Sequence, residues 1–442
     1  PVLQGSVFNL SSITPKNHIP TLSWIGLSDK DTTISSAINL MQSQNVRQGL
    51  NALEDFYAPS LNFLLVDNNR MTLKSVGKMP RRSPINQNQG RMPSLGWKAE
   101  NNWRGFWGYE VNPTVNSSPG DILGNTNNKI TDEKFPQHMS YFWGDTQRIL
   151  RWQKLMQNRE VHTRESFIEA QLDTVSPTAR SLLPIIGSEL WYSQPMGEAG
   201  SKKRLRFDAI SMLASWNGEM NEHLPEPLIY STWMKFLQKK LIEDELGPVS
   251  QQFLNINPIF IEKVFRDIEG ASIWCDIKHS VNRETCAQIA SISLDEALSW
   301  LQEKYGKNLS ALRWGDAHEA FHRNETLGNI PIIKYFVNIK QSTSGGNHTL
   351  MRGKSLGSGK EPFLNIHSAV YRGVYDFADP DSSVFIISTG QSGHFLSRHY
   401  DDLGNLWRRG EYVPMSLDPN LARAASIGKT IISPKSFQRA KE

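Results

Sequence analysis

The period of apolar and polar positions changes twice along the chain. Across residues 36–56, Ile38, Met41, Val46, Leu50 and Leu53 recur at helical spacing, and Pro59 closes the run. Residues 61–67 form a short apolar stretch ending at Asn68-Asn69, which predicts a strand and a turn. Gly, Asn and Pro crowd residues 77–124, predicting loops and short strands. From about Tyr141 to Tyr305 the pattern is helical, with amphipathic segments starting near Asp145, Thr163, Asp208, Pro227, Pro258 and Ser293. Thr163 and Ser293 stand where N-caps belong, and Lys202-Lys203-Arg204 is expected in an exposed loop. β-Branched and aromatic residues return at 332–339, 368–377 and 384–388, three predicted strands, with residues 342–359 a Gly- and Ser-rich loop. The expectation is an α+β chain in three stretches, 1–140, 141–305 and 306–442, a β-rich body split by a helical insertion.

Composition narrows the class. With 442 residues, 38% hydrophobic and 21% charged, the chain reads as globular rather than fibrous or disordered. Thirteen Trp and 19 Phe supply large apolar surface for a core and for an apolar pocket. The net charge of +4 is small and scattered; Lys78-Met79-Pro80-Arg81-Arg82 reads as a solvated loop, and no nucleic-acid partner is expected. No apolar run nears the ~18 residues of a membrane span. Pro1 reads as a processing point or a truncation. Cys275 and Cys286 can pair in an oxidising compartment, although both fall in helix-like sequence.

Four patterns carry candidate chemistry. His318-Glu319-Ala320-Phe321-His322 matches H-E-x-x-H formally, which on a helix makes a zinc peptidase centre. Gly315 and Gly328 leave room only for a very short helix, and the third ligand is missing, so polar turn residues are the favoured expectation. Gly390-Gln391-Ser392-Gly393 has the wrong spacing for a nucleophile elbow; it is expected to be a structural loop, with a Ser392–His399–Asp triad as the alternative. Gly357-Ser358-Gly359-Lys360 is half a P-loop in which Glu361 replaces the magnesium-binding hydroxyl, and it is rejected. Asn125-Thr126-Asn127-Asn128 is either a turn or an oxyanion-hole amide, and composition alone does not separate the two.

Taken in order, a longer series of segments resembles the penicillin acylase family. It runs through Ala58-Pro59-Ser60-Leu61-Asn62-Phe63, Gln171-Leu172-Asp173-Thr174-Val175-Ser176, Leu213-Ala214-Ser215-Trp216-Asn217-Gly218 and Trp314-Gly315-Asp316-Ala317-His318. It continues with Tyr371-Arg372, Asp376-Phe377-Ala378-Asp379-Pro380-Asp381, Thr389-Gly390-Gln391-Ser392-Gly393, Ser397-Arg398-His399-Tyr400-Asp401-Asp402, Trp407 and Gly410-Glu411-Tyr412, and Tyr141-Phe142-Trp143-Gly144-Asp145-Thr146-Gln147-Arg148 matches as well.

The resemblance implies an N-terminal-nucleophile hydrolase fold, an αββα sandwich, incomplete here, with a helical knob insertion. It implies hydrolysis of a linear amide in a small N-acylated substrate, a β-lactam side chain or an N-acyl homoserine lactone. The nucleophile would be an N-terminal Ser made by precursor self-cleavage. That Ser is expected upstream of Pro1, so the α chain and the first part of the β chain are the expected partners, and this chain alone is expected to be inactive. A truncated, non-catalytic remnant of the family is the alternative. The resemblance further implies Asn127 as the oxyanion donor, Arg148 as the residue orienting it, and Leu61 and Ile38 as acyl-pocket residues. No cofactor is expected. The resemblance also implies a structural calcium held by carboxylates upstream of Pro1 and by one Asp near Pro136-Gln137-His138; no Asp stands there, which makes calcium doubtful and leaves a backbone carbonyl near Gly90 as this chain's contributor. By analogy with the family, a periplasmic or secreted location is expected.

Overall fold

An asparagine cuts the first predicted helix in two. Asn45 accepts the Gln48 N–H at 3.0 Å, and Asp67 reaches back to accept the Val46 N–H at 2.8 Å. A new helix therefore starts at Val46, and residues 36–56 become α1 (Thr33–Met41) and α2 (Val46–Ala52). The computed structural model describes residues 14–118, 120–144, 146–191, 197–198 and 200–433. Pro1 lies outside them. The chain divides into two compact units, Pro1–Leu150 and Arg151–Glu442.

In the first unit, β1 (Leu61–Val66), β2 (Met71–Val76) and β3 (Thr114–Asn116) form an antiparallel meander. Asp67 closes the β1–β2 turn by accepting the N–H groups of Asn69 and Arg70. Alternation divides the sheet into two faces. Phe63, Leu65 and Val76 pack with Leu40, Leu53 and Phe56 in a small core. Asn62 and Leu64 lie opposite Ser75 and Leu73 on the other face. Lys74 is buried on the core side, donating to the Asn112 carbonyl and Thr114 Oγ1, 4.3 Å from the Tyr109 ring centroid. Burial pushes the Lys74 ammonium down and the Tyr109 phenol up to about 12. The unit ends on the first turn of α3 (Gln147–Gln157).

The second unit holds both the helical stretch and the C-terminal strands. Its helices are α4 (Arg164–Gln171), α5 (Pro177–Trp191), α6 (Lys202–Ser215), α7 (Glu226–Leu246), α8 (Pro258–Phe265) and α9 (Cys286–Tyr305). The core is the α7–α9 seam, where Leu228, Trp233, Leu237 and Leu241 meet Ile289, Leu294, Leu298 and Leu301. Each such side chain contributes about 1.5–3 kcal/mol by leaving water. Trp233 Nε1 donates to the Ala290 carbonyl at 3.0 Å, so its one polar atom is satisfied. Cys275 and Cys286 are paired in a disulfide.

Several helix starts differ from the sequence expectation. Ser201 accepts the Arg204 N–H, so Lys202-Lys203-Arg204 is the first turn of α6 and not a loop. Thr285 and Gln288 form a capping box that starts α9 at Cys286, leaving Ser293 buried mid-helix. Helix α5, with Pro184 inside it, is an addition to the predicted set.

After α10 (Trp314–Ala317), β4 (Glu319–His322), β5 (Ile339–Ser342), β6 (Gly353–Ser355) and β7 (Asn365–Ser368) pair in the order β5-β4-β7-β6, with β4–β7 parallel. A second sheet joins β8 (Tyr371–Val374), β9 (Val384–Ile387) and β10 (Val413–Pro414). Residues 332–339 are not a strand. Ile332 has φ 70°, a short helix α11 (Lys334–Val337) follows, and pairing starts only at Ile339. Asn338 bridges the Asn324 N–H and the Gly328 carbonyl, which holds that turn. Strand β6 interrupts the predicted loop at 342–359. Helix α12 (Gly404–Arg409) buries Trp407 against Ala320 and Ile386. Among the described residues no helix is long and apolar enough to cross a membrane.

Candidate functional site

The polar face of the first unit's sheet opens onto a cavity of about 790 Å³. Leu64 and Leu73 give it an apolar wall, Leu61 lines it at the start of β1, and Asn62, Ser75, Asn125 and Asn127 give a polar wall. A chain of hydrogen bonds ties the sheet to the Asn-rich loop. Ser75 Oγ donates to Asn62 Oδ1 at 2.7 Å, and Asn62 Nδ2 donates to Asn125 Oδ1 at 3.3 Å. Asn125 Oδ1 also accepts the Asn127 N–H at 2.9 Å, closing an Asx-turn. Asn128 Oδ1 accepts from the Thr126 N–H and from Asn125 Nδ2. The loop is thus held by its own side chains and by the strand beneath it.

Asn127 itself sits at φ 68°, the left-handed region that Asn tolerates better than most L residues. Arg148, on the first turn of α3 and only 8% exposed, donates from Nη2 to Asn127 Oδ1 at 3.2 Å. A guanidinium has donors only, so the acceptor end of the amide must face it. The Asn127 Nδ2 then points the other way, and it makes no hydrogen bond to any described residue. Gly144 closes over the loop, where an added Cβ would lie 3.0 Å from the Asn127 carbonyl oxygen. The result is a preorganised amide donor on a cavity wall, the arrangement that stabilises negative charge developing on an oxygen.

Of the residues expected at the site, the structure brings Asn127, Arg148 and Leu61 together. Ile38 lies on α1, 50% exposed, outside the residues lining the cavity. The sequence reading missed Asn62 and Ser75, and it misjudged residues 78–82. Met79 is buried, Arg82 is half-buried, and Lys78, Met79, Pro80 and Arg82 all line the cavity. The apolar Met-Pro pair inside that basic run was the available signal. Burial holds the Arg82 guanidinium below its usual range; burial and the nearby Arg82 charge do the same to His138. Gly90 packs on the Arg82 guanidinium, and Arg91 lies over the Tyr141 ring that stacks on His138. Two guanidiniums at the place considered for calcium do not fit a hard dication, which needs carboxylate and carbonyl oxygens. Among the described residues no group of three or more His, Cys, Asp or Glu gathers to hold a metal.

The H-E-x-x-H pattern is spread over a strand, not a helix. Glu319–His322 is β4, so His318 and His322 do not share a helical turn. His318 is buried, stacks on Trp314, and donates from Nδ1 to the Phe363 carbonyl at 2.7 Å. His399 does pair with Asp402 at 2.8 Å, but its Nε2 accepts from Arg398, and Ser392 Oγ accepts from the His394 N–H. No triad forms.

The family model described as penicillin amidase matches residues 1–424. This chain belongs to the penicillin amidase family. Acyl-homoserine lactone acylase QuiP from Pseudomonas aeruginosa is 22% identical over 431 residues, covering 92% of this chain and 50% of that protein. Penicillin acylase 2 proenzyme from Pseudomonas sp. (strain SE83) is 23% identical over 377 residues, covering 83% of this chain and 46% of its own. The chain spans about half the length of the curated relatives it matches. In fold it is similar to thermostable penicillin G acylase from Alcaligenes faecalis, with a TM-score of 0.62 at 16% identity, covering 91% of this chain and 73% of that one. The mixed α+β architecture is therefore that of a penicillin acylase.

Proposed function

We propose that the complete protein is an amidohydrolase that cleaves the linear amide of an N-acylated substrate, a β-lactam side chain or an N-acyl homoserine lactone. The observation that carries this is the Asn127 amide, fixed by Arg148 with its N–H end turned away from the guanidinium on the wall of the cavity. The attacking group is the hydroxyl of an N-terminal Ser outside these 442 residues, with its α-amine taking the proton, directly or through water. As the Ser oxygen bonds to the amide carbon, the carbonyl oxygen becomes an oxyanion and accepts from Asn127 Nδ2. The C–N bond then breaks, the amine leaves with the proton, and water hydrolyses the ester to the free acid. Arg148 acts through Asn127 as a positioning residue. The apolar lining of Leu61, Leu64 and Leu73 receives the acyl chain.

The names of the relatives support this choice of substrates, and one of them is called a proenzyme. In the same account this chain works with an α chain and the first part of a β chain from one precursor. An oxidising compartment, periplasmic or extracellular, suits the Cys275–Cys286 disulfide. The test is release of free amine from a panel of N-acyl homoserine lactones and penicillins by the mature protein from its source. Turnover of either class supports the proposal, and intact substrates throughout contradict it.

A further inference from the structure

A second cavity, of about 310 Å³ and wholly within the second unit, carries two arginines and no carboxylate. Arg372, on β8, is 5% exposed. It stacks on Trp407, 4.6 Å from the ring centroid, and donates from Nη1 to the Trp407 carbonyl at 2.7 Å. That is one acceptor for a group with five N–H donors. Among the described residues it has no other hydrogen bond and no ion pair. Burial pushes this guanidinium down to about 10. Arg352 is the other cation, and its Nε is buried without a hydrogen-bond partner. The other polar groups on the wall are already committed: Gln171 donates to the Gly373 carbonyl and accepts from Tyr412, and the Tyr371 hydroxyl is hydrogen-bonded with that of Tyr375.

Buried charges are ordinarily paired, because an uncompensated one loses its hydration for nothing. Arg352 and Arg372 both line this cavity, and a planar guanidinium grips an oxyanion through parallel N–H groups. The rest of the lining is apolar or aromatic: Leu350, Met351, Ala369 and Tyr371. A bare inorganic anion would leave that wall against water. The volume lies at the small end of ligand pockets. We infer that this cavity binds a small carboxylate bearing a short apolar tail, its carboxylate held between Arg352 and Arg372 and its tail against Leu350, Met351 and Ala369. The site is separate from the Asn127 cavity and does not depend on the amidase proposal.

The test is calorimetric titration of the protein with sodium hexanoate, with hexanamide and inorganic phosphate as comparison probes. Saturable one-to-one binding of hexanoate is expected, with hexanamide and phosphate each weaker by at least about tenfold. Arg352→Gln should weaken hexanoate by a similar factor with an unchanged circular dichroism spectrum; Arg372→Lys, which keeps the charge but loses the fork, should also weaken it. Absence of saturable hexanoate binding, equal binding of hexanamide or phosphate, or hexanoate affinity unchanged in Arg352→Gln would each overturn the inference. The hexanoate–hexanamide comparison needs no variant, so a misfolded Arg372→Lys does not leave the matter open.

Discussion

Arg148 donates to Asn127 Oδ1 at 3.2 Å, and this single bond decides which end of the amide faces away from the guanidinium. Its loss frees the Asn127 side chain to rotate, so the donor is present but no longer aimed. Arg148→Met in the complete protein should therefore lower kcat by at least about tenfold with a smaller change in KM. With Asn127 already changed to Gly, the same substitution should cost little more, because the two residues act as one unit. Additive losses in the double-mutant cycle would mean that Arg148 acts by some other route.

Gly144 makes a milder test of the same loop. The Cβ of Gly144→Ala would sit 3.0 Å from the Asn127 carbonyl oxygen, so the loop must give by a few tenths of an ångström. A kcat loss smaller than that of the Asn127 variant is expected, with the melting temperature nearly unchanged. Wild-type kcat in Gly144→Ala would show that the loop position is not critical.

Leu61 lies on the cavity wall and Ile38 does not. Leu61→Phe should cut kcat/KM for the longest acyl chains relative to short ones by roughly 10- to 200-fold, the range one or two methylenes of pocket space control. Ile38→Ala should leave the chain-length profile unchanged. A parallel shift for all chain lengths in Leu61→Phe would remove it from the acyl pocket.

His318 predicts a pH dependence of stability. Burial lowers it from 6.5 to about 4, and the bond to the Phe363 carbonyl only partly opposes this. Between those values the unfolded chain binds the proton and the folded chain does not. Stability is then complete above about pH 6.5 and falls as pH drops towards 4, by up to about 3 kcal/mol. His138 and His322 shift in the same direction. His318→Phe, which can keep a stack on Trp314, should make the acid limb shallower in urea midpoints measured between about pH 7 and 4.5. An unchanged slope would contradict this assignment.

Local patterns were legible where one residue's chemistry sets the structure. The turn at Asp67, the cap at Thr163 and the Leu61–Val66 strand follow from their own residues. Motif residues that carried the family resemblance are structural joints in the fold: Ser176 caps Ala179, and Trp314 Nε1 donates to the Gly345 carbonyl. Elements set by distant partners were not legible. Residues 332–339 have strand composition, yet Asn324, Gly328 and Asn338 fix a turn there. At the site, Asn127 and Arg148 were legible only through resemblance, since a polar Asn run reads equally as a turn. The links through Asn62 and Ser75 lie more than fifty residues from Asn127 in sequence, and no local signal marks them.

Asn127→Gly in the complete protein removes the proposed oxyanion donor and leaves the loop in place. Glycine accepts the φ of 68° without strain, so the backbone is kept while the amide is removed. A kcat lower by about 100- to 1,000-fold is expected, equivalent to about 2.7–4 kcal/mol, with KM and melting temperature close to wild type. A kcat equal to wild type would take Asn127 out of the mechanism.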